Sequence, residues 1–271
     1  MLIFKMKIIN KILAVVFSSI ILMGCDQVDI INPDISFKEN VVVRAELIAG
    51  EFFEGVTFTK TLPLNVPYTI SDAEIKTVTA YLKINNIQVV PLHYTTNGIY
   101  KALYEFRIKS NNTYELYAVY NKKSIYSKTY IPSTPNISGV IYRDEYFLQC
   151  EVVANNNEAF GATWVIPSQN IMADDFYSIE SIIDNNTSNK ITIRTNVIPK
   201  QYRSNAQKLL TYIKVYAFDK AYTNYFHTKS NGQSVDVAFE HGGNNIAWNV
   251  EGENIIGLFI GRAIGQSVSH L

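Results

Sequence analysis

The stretch TVTAYLKINNIQVV, residues 77–90, decides the fold class of this chain. Its first eight residues alternate, and one face carries only apolar side chains: Val78, Ala80, Leu82 and Ile84. Asn85-Asn86 then separates this run from Ile87–Val90, and asparagine tolerates a positive φ. A period of two predicts a half-buried strand, and two turn-forming residues between such runs predict a tight hairpin.

Further short strands are predicted on both sides of this hairpin. The runs with strand character are Val41–Ile48, Val56–Thr59, Ile99–Phe106, Tyr114–Tyr120 and Ile125–Ile131. Asn97-Gly98 supplies a second two-residue turn, and Ser71–Glu74 leaves room for at most one helical turn. About seven short strands in roughly 90 residues predict an immunoglobulin-like antiparallel β-sandwich over residues 39–131.

A second β-rich domain is predicted for residues 132–271. It begins at Pro132-Ser133-Thr134-Pro135, where proline-flanked polar residues interrupt both the helical and the strand period. Asp174–Ile183 has no clear period and is either strand or irregular. The predicted strands of this domain are Ile137–Ile141, Tyr146–Val153, Ala162–Ile166, Lys190–Val197 and Leu210–Phe218.

The first 24 residues have the pattern of an export signal. Three lysines precede the apolar run Ile12–Met23. As a helix this run is about 18 Å long, which is too short for a hydrocarbon core of ~30 Å. We therefore predict a cleaved secretory signal over residues 1–24. No other segment approaches about 18 consecutive apolar residues, so no other segment is predicted to span a bilayer.

The apolar run ends in Leu22-Met23-Gly24-Cys25, which resembles the lipobox of bacterial lipoproteins. The small Gly24 gives a signal peptidase access to the backbone, and only a thiol can become the diacylglyceryl thioether. We predict cleavage between Gly24 and Cys25, acylation of Cys25 and a tether over residues 25–38. Two or three acyl chains hold a protein durably at a membrane. An ordinary signal peptide and a membrane helix that happens to contain a cysteine are the alternatives.

The charge balance argues against a nucleic-acid partner. Removing the three lysines of the leader from the 24 Lys and Arg leaves 21, against 24 Asp and Glu, so the mature chain is slightly acidic. Binding to nucleic acid is driven by phosphate neutralisation, which needs a surplus of basic residues. We therefore predict no nucleic-acid partner.

No catalytic, metal or cofactor motif is visible in the sequence. The chain lacks a GxSxG elbow, a P-loop and a dinucleotide fingerprint, and we predict neither a cofactor nor an enzymatic activity. Cys150 lies in an apolar strand-like run and is predicted to be a buried, inert thiol. The histidines lack an HExxH frame and an i, i+4 partner, and none is predicted to bind metal: His93, His227, His241 and His270.

Four aromatic residues are the candidates for contact with a ligand or a partner. Asp219 is predicted to cap a short helix that carries Tyr222 and Tyr225 on one face. Together with Trp164 and Trp248, these tyrosines could stack on a sugar or anchor a partner protein. Packing in a core is the alternative, and it is the interpretation that we favour for each.

Four segments of the chain after the leader carry a family resemblance. Val41–Ile48 follows the lipidated tether, Tyr212–Phe218 precedes the tyrosine helix, and the chain closes with Asn249–Gly252 and Gly257–Gly261. In this combination the chain resembles the lipoproteins grouped as domain-of-unknown-function family 4249. The resemblance implies a lipoprotein of a Gram-negative (Bacteroidetes-type) envelope, in the outer rather than the inner membrane. It also implies a gene near those of TonB-dependent outer-membrane transporters, and no assigned molecular role.

Three functions are compatible with these features. The first is a non-catalytic cell-envelope lipoprotein, held at the membrane by lipid on Cys25 and acting as an accessory binding protein of an outer-membrane transporter. The second is a structural or adhesive surface module. The third is a carbohydrate-active hydrolase with carboxylates from distant strands. Asp26, directly after the lipid cysteine, is an inner-membrane retention signal in some bacteria, so the membrane and its leaflet stay open.

Overall fold

A computed structural model describes residues 37–153, 158–169, 171–172, 182–184, 190–204, 208, 210–220, 223–228, 240 and 246–270. We refer to them as the described residues. Lys38–Leu271 forms one compact, mainly β unit, in agreement with the predicted fold class at this level. Gly24 and Cys25 lie outside the described residues, as does nearly all of the predicted tether, so lipidation stays a prediction.

Strands make up most of the described residues. Two short α-helices, α1 Ile70–Ala73 and α2 Thr223–Thr228, and two 3-10 turns, Pro167–Gln169 and Lys200–Tyr202, lie between them. Among the described residues, no helix has the length and apolarity needed to cross a membrane. The strands are β1 Val41–Ile48, β2 Val56–Lys60, β3 Thr79–Ile84, β4 Gln88–Thr96, β5 Ile99–Lys101, β6 Thr113–Tyr120, β7 Lys123–Tyr130, β8 Asn136–Arg143, β9 Phe147–Val153, β10 Glu158–Ile166, β11 Ile171–Met172, β12 Ile182–Asp184, β13 Lys190–Arg194, β14 Tyr212–Asp219, β15 Val250–Glu251, β16 Ile255–Ile264 and β17 Val268–Ser269.

The strands form one large sheet and one small sheet. The large sheet has the order β11-β10-β14-β16-β1-β2-β5-β4-β3-β6-β7-β15, with β12 paired to β10 and β17 paired to β14. The small sheet has the order β13-β9-β8. The large sheet is curled: β16 and β7 are not neighbours in the strand order, yet the Gly261 N–H of β16 donates to Thr129 Oγ1 of β7 over 2.7 Å.

The first strand lies in the middle of the large sheet. β1 forms an antiparallel pair with β2. On its other side it forms a parallel pair with β16 along its full length. The sequence predicted antiparallel pairing within residues 39–131, so the parallel neighbour from outside that range is a departure. The burial of three successive valines explains it, because strands covered on both faces are typical of parallel pairs: Val41, Val42 and Val43.

The hairpin that decided the fold class is confirmed. Val78, Ala80, Leu82 and Ile84 are all buried, whereas Tyr81 on the other face is 37% exposed. Asn85 and Asn86 have φ values of 51° and 64°, as a tight hairpin turn requires, and the Ile87 N–H donates to the Ile84 carbonyl oxygen over 3.0 Å. Ile84 pairs with Gln88, so Ile87 is a third residue of this loop. Asn97 and Gly98 form a two-residue turn between β4 and β5, with φ values of 53° and 75°.

Two local predictions differ from the structure. The predicted strand Ile99–Phe106 ends at Lys101, and the following segment carries the strongly exposed Leu103 instead of continuing the alternation. The helical turn at Ser71–Glu74 exists as α1, but its cap is Thr69, whose Oγ1 accepts from the Asp72 N–H over 3.3 Å.

The five runs predicted as strands in the second half correspond to β8, β9, β10, β13 and β14, with ends that differ by up to four residues. Of Asp174–Ile183, only the last two residues are described, and they belong to β12. Asp219 is the last residue of β14 and lies before α2, which begins at Thr223. Its Oδ2 accepts from the backbone N–H of Tyr130 over 2.7 Å.

The predicted link between the two halves is held by two carboxylates. Asp219 Oδ2 accepts from Tyr130 N–H, and Glu158 Oε1 accepts from Ser133 N–H over 3.2 Å. Glu158 is 2% exposed, and hydrogen bonds from backbone N–H groups stabilise such buried carboxylates. Strands from both halves share the large sheet, and the division at residues 131 and 132 into two domains stays a prediction.

Candidate functional site

The aromatic candidates lie in different environments. Trp164 is 3% exposed and packs in the core between the two sheets, and Tyr225 is 1% exposed beside Phe218 and Leu258. Trp248 is half-buried, with its ring centroid 6.4 Å from that of Tyr225. Tyr222 lies outside the described residues. Of the three candidates that are described, Trp248 is therefore the one that a ligand can reach.

Trp248 borders an open pocket of about 240 Å³. The pocket lies where β7, β15 and α2 meet, and both strands contribute polar side chains to its wall. Such a combination of an aromatic ring with a few polar groups is typical of ligand sites. Its other lining residues are Tyr126, Lys128, Asn224, Ala247, Asn249 and Glu251.

The segment that carries Trp248 is fixed by the side chain of Asn249. Asn249 Oδ1 accepts from Phe259 N–H over 2.8 Å, and its Nδ2 donates to Phe259 O over 2.7 Å. The Ser127 hydroxyl donates to the carbonyl oxygen of Asn249 over 2.6 Å. These three hydrogen bonds attach the segment to β16 on one side and to β7 on the other.

A row of tyrosines lies beside the pocket on the outer face of the sheet. Tyr81 of β3 stands opposite Tyr117 of β6, which stands opposite Tyr126 of β7, and Tyr126 stands opposite Glu251 of β15. Both neighbouring pairs of ring centroids are 5.1 Å apart. The row therefore crosses three neighbouring strands and ends at Tyr126, which lines the pocket beside Trp248. We call this pocket the Trp248 pocket.

Glu115 is the buried polar group next to this row. It is 9% exposed, and its Oε1 accepts from the Tyr126 hydroxyl over 3.1 Å and lies 3.9 Å from Lys128 Nζ. Its Oε2 is buried and has no hydrogen-bond partner among the described residues. Burial, followed by the hydrogen bond to Glu115, raises the pKa of Tyr126 to about 12, so this hydroxyl stays protonated even in mildly alkaline solution.

A second pocket of about 310 Å³ lies on the other side of Lys128. Asn85 and Asn86 of the β3–β4 turn line it, together with Thr113 and Glu115 of β6. Lys128 lines both pockets, and its side chain is 58% exposed. The two pockets are therefore neighbours that share one lysine side chain.

Sequence reasoning missed most of this surface. It named Trp248 but not Glu115, Tyr126, Lys128 or Glu251. Only Glu115 was open to inference, since alternation along β6 places it, with Tyr117, on the face opposite the buried Leu116. The opposition of Tyr126 and Glu251 depends on the register of β7 and β15, which are far apart in sequence.

The histidines are not brought together in the described part of the chain. His93 is exposed on β4, and His270 lies against Tyr142 with ring centroids 5.5 Å apart. The side chain of His227 and all of His241 lie outside the described residues. Where the structure describes the chain, no three His, Cys, Asp or Glu side chains are grouped as a metal site.

The two tryptophans should be distinguishable by fluorescence quenching. In a Trp164→Phe variant all tryptophan emission comes from the half-buried Trp248, and we expect a red-shifted spectrum that acrylamide quenches strongly. In a Trp248→Phe variant the emission comes from the buried Trp164, and we expect a blue-shifted spectrum with several-fold weaker quenching. Equal quenching constants for the two variants would contradict the placement of Trp248 at the surface.

Cys150 should be unreactive in the folded protein. It is 1% exposed, and burial raises the pKa of its thiol to about 12, so almost no thiolate is present at pH 8. With a Cys25→Ser variant, we expect no reaction with a disulfide reagent under native conditions and one reactive thiol per chain in concentrated guanidinium chloride. Rapid labelling of the native variant would contradict the burial.

Comparisons with known proteins add little to this geometry. No family model and no curated protein matches the chain. Among solved structures, it shows a likeness to the apo structure of Bacteroides uniformis beta-glucuronidase 3, with 10% identity and a TM-score of 0.20. The likeness covers 67% of this chain and 23% of that enzyme's chain. Similarity at this level carries no argument about function.

Proposed function

We propose that the protein is a non-catalytic, lipid-anchored binding protein of the cell envelope. Acyl chains on Cys25 hold it at the outer membrane, where it acts as an accessory protein of a TonB-dependent type transporter. The anchor is supported by the lipobox-like Leu22–Cys25, and the location and the transporter are supported by the family resemblance.

One observation carries the binding role. Trp248 and Tyr126 line an open pocket next to a row of surface tyrosines, and Asn249 fixes the segment that presents Trp248. Surface aromatics that are held in place by backbone hydrogen bonds provide binding area at a low entropic cost. An immunoglobulin-like sandwich over residues 39–131 would suit this role, and it forms part of the proposal.

Mass spectrometry of the protein purified from membranes tests the anchor. We expect a chain that begins at Cys25 and carries two or three acyl groups. A Cys25→Ser variant should be released into the soluble fraction, because no acyl chain can then be attached. An intact leader, or an unmodified thiol on Cys25, would overturn the proposed anchor.

A pull-down from detergent-solubilised membranes tests the partner. We expect the wild-type chain to recover an outer-membrane transporter and a Trp248→Ala variant to recover at least about fivefold less, since aromatic anchors dominate binding surfaces. A Trp164→Phe variant, altered in the core, is the matched control and should recover the wild-type amount. Equal recovery of the transporter by all three chains would contradict a role of the pocket in binding this partner.

Two other functions differ from the proposal in measurable ways. A purely structural or adhesive module needs no pocket, so replacing Trp248 would leave cell-surface adhesion unchanged. A carbohydrate-active hydrolase would need two carboxylates at the reacting bond, and Glu115 and Glu251 line neighbouring pockets. Release of sugars by the wild-type chain, and its loss in a Glu251→Gln variant, would favour the hydrolase.

A further inference from the structure

We infer that the two neighbouring pockets bind a single ligand, a neutral oligosaccharide of at least two sugar units that crosses over Lys128. This inference rests on the proposed binding function and specifies its ligand class. It depends on the juxtaposition of the pocket beside Trp248 with the second pocket, which Glu115 lines, and on the single lysine, Lys128, that lines both.

The side chains of the Trp248 pocket suit the two surfaces of a sugar ring. A sugar ring has an apolar C–H surface, which aromatic rings such as Trp248 and Tyr126 can cover, and a rim of hydroxyls. Hydroxyl groups both donate and accept hydrogen bonds, so they need acceptors such as Glu251 and donors such as Lys128. The pocket thus offers an apolar contact and both kinds of polar partner within one site.

The charges of the two pockets argue against an anionic ligand. Glu251 and Lys128 line the first pocket, and Glu115 and Lys128 line the second. A ligand that spans both pockets therefore meets two carboxylates and one ammonium group. An anionic ligand would be repelled by the excess carboxylate, whereas neutral hydroxyls can form hydrogen bonds with the more accessible Glu251 and Lys128.

The size of the pockets indicates a ligand of more than one unit. Pockets for drug-sized ligands have volumes of roughly 300–1,000 Å³. The volumes of 240 Å³ and 310 Å³ lie below and at the lower end of this range, so each pocket alone holds only a small unit. Because Lys128 lines both pockets, two linked units can occupy them with their linkage near its ammonium group.

Binding to a glycan microarray with neutral and acidic members, followed by calorimetric titration, tests the inference. We expect neutral oligosaccharides to bind, with an affinity that rises roughly tenfold from the monosaccharide to the di- or trisaccharide of the same sugar. In a Lys128→Gln variant, we expect this gain with chain length to be lost, and the monosaccharide, which also contacts Lys128, to bind more weakly by a smaller factor than the oligosaccharide does. A Lys123→Gln variant on the same strand, whose lysine pairs with Glu253 outside both pockets, should retain it.

Three results would overturn the inference: binding of acidic glycans only, equal affinity for monosaccharide and oligosaccharide, or no binding of any glycan. None of them would by itself remove the proposed function, because recovery of a transporter that depends on Trp248 is measured separately. Conversely, binding with the expected dependence on chain length and on Lys128 would support the inference even if no transporter were recovered.

Discussion

A Gly257→Ala variant should fail to fold, or should lose most of the free energy of unfolding. Gly257 lies in β16 opposite Val43 of β1, with a φ of 144°, a conformation that L side chains rarely adopt. A Cβ atom at this position would overlap the carbonyl oxygen of Val43 and lie 2.7 Å from its nitrogen. The clash is with backbone, so no side-chain rotation can relieve it.

The position of Gly257 and Val43 within the sheet increases the free-energy cost of this clash. β1 is paired on its other side with β2, and β16 is paired on its other side with β14, so neither strand can shift without breaking a second ladder. Single substitutions that cost more than about 4–5 kcal/mol are exceptional, and backbone overlap at a strained φ is among their causes. The free energy of unfolding of a domain is about 5–15 kcal/mol, so such a loss could remove most of it.

Urea unfolding followed by circular dichroism measures the effect. Gly139→Ala is the matched control, because Gly139 also has a positive φ, 59°, but a Cβ there would meet no atom within 4 Å. We expect the control to lose about 1–2 kcal/mol, the cost of the left-handed conformation alone. Equal urea midpoints for Gly257→Ala and Gly139→Ala would contradict the prediction that the close backbone contact at Gly257 destabilises the variant.

An Asn249→Ala variant should lose both stability and the Trp248 pocket. The change removes the two hydrogen bonds to the backbone of Phe259, a residue with no exposed surface, and leaves a buried N–H and a buried C=O without partners. Each unsatisfied buried group costs about 1–3 kcal/mol, so we expect the two groups together to cost roughly 2–6 kcal/mol. The segment that presents Trp248 would also lose its attachment to β16.

Two measurements separate these effects. Urea unfolding gives the stability, and native-state hydrogen exchange of the Phe259 amide shows whether the bond to Asn249 protects it. Asn136→Ala, a change at an exposed residue of β8, is the control and should alter the free energy of unfolding by less than about 0.5 kcal/mol. Unchanged protection of the Phe259 amide in Asn249→Ala would show that the side chain does not hold this segment.

The sequence predicted those parts of the fold that depend on neighbouring residues. The hairpins at Asn85-Asn86 and Asn97-Gly98 follow from residues that tolerate positive φ between alternating runs, and such turns need no distant partner. The pairing of β1 with β16 was not predictable in this way. Both strands are nearly continuous apolar runs, and a run of this kind indicates burial without identifying the strand beside it.

The candidate site shows the same division. Trp248 could be named because its residue type alone suggests contact with a ligand. Glu115, Tyr126 and Glu251 form a site with it only through the register of β6, β7 and β15, and shifting a strand by one residue would turn its side chains to the other face. The alternation of side chains along each strand can be read from the sequence, whereas the register between neighbouring strands cannot.

The parallel pairing of β1 with β16 also has a consequence for biosynthesis. β1 is among the first structured segments to leave the ribosome, whereas its partner Ile255–Ile264 is among the last. Throughout elongation the nascent polypeptide therefore carries an apolar strand with one open edge, which is a hazard for aggregation. The large sheet cannot close before Ile255–Ile264 has been synthesised and, in the exported protein proposed here, has crossed the inner membrane to join β1.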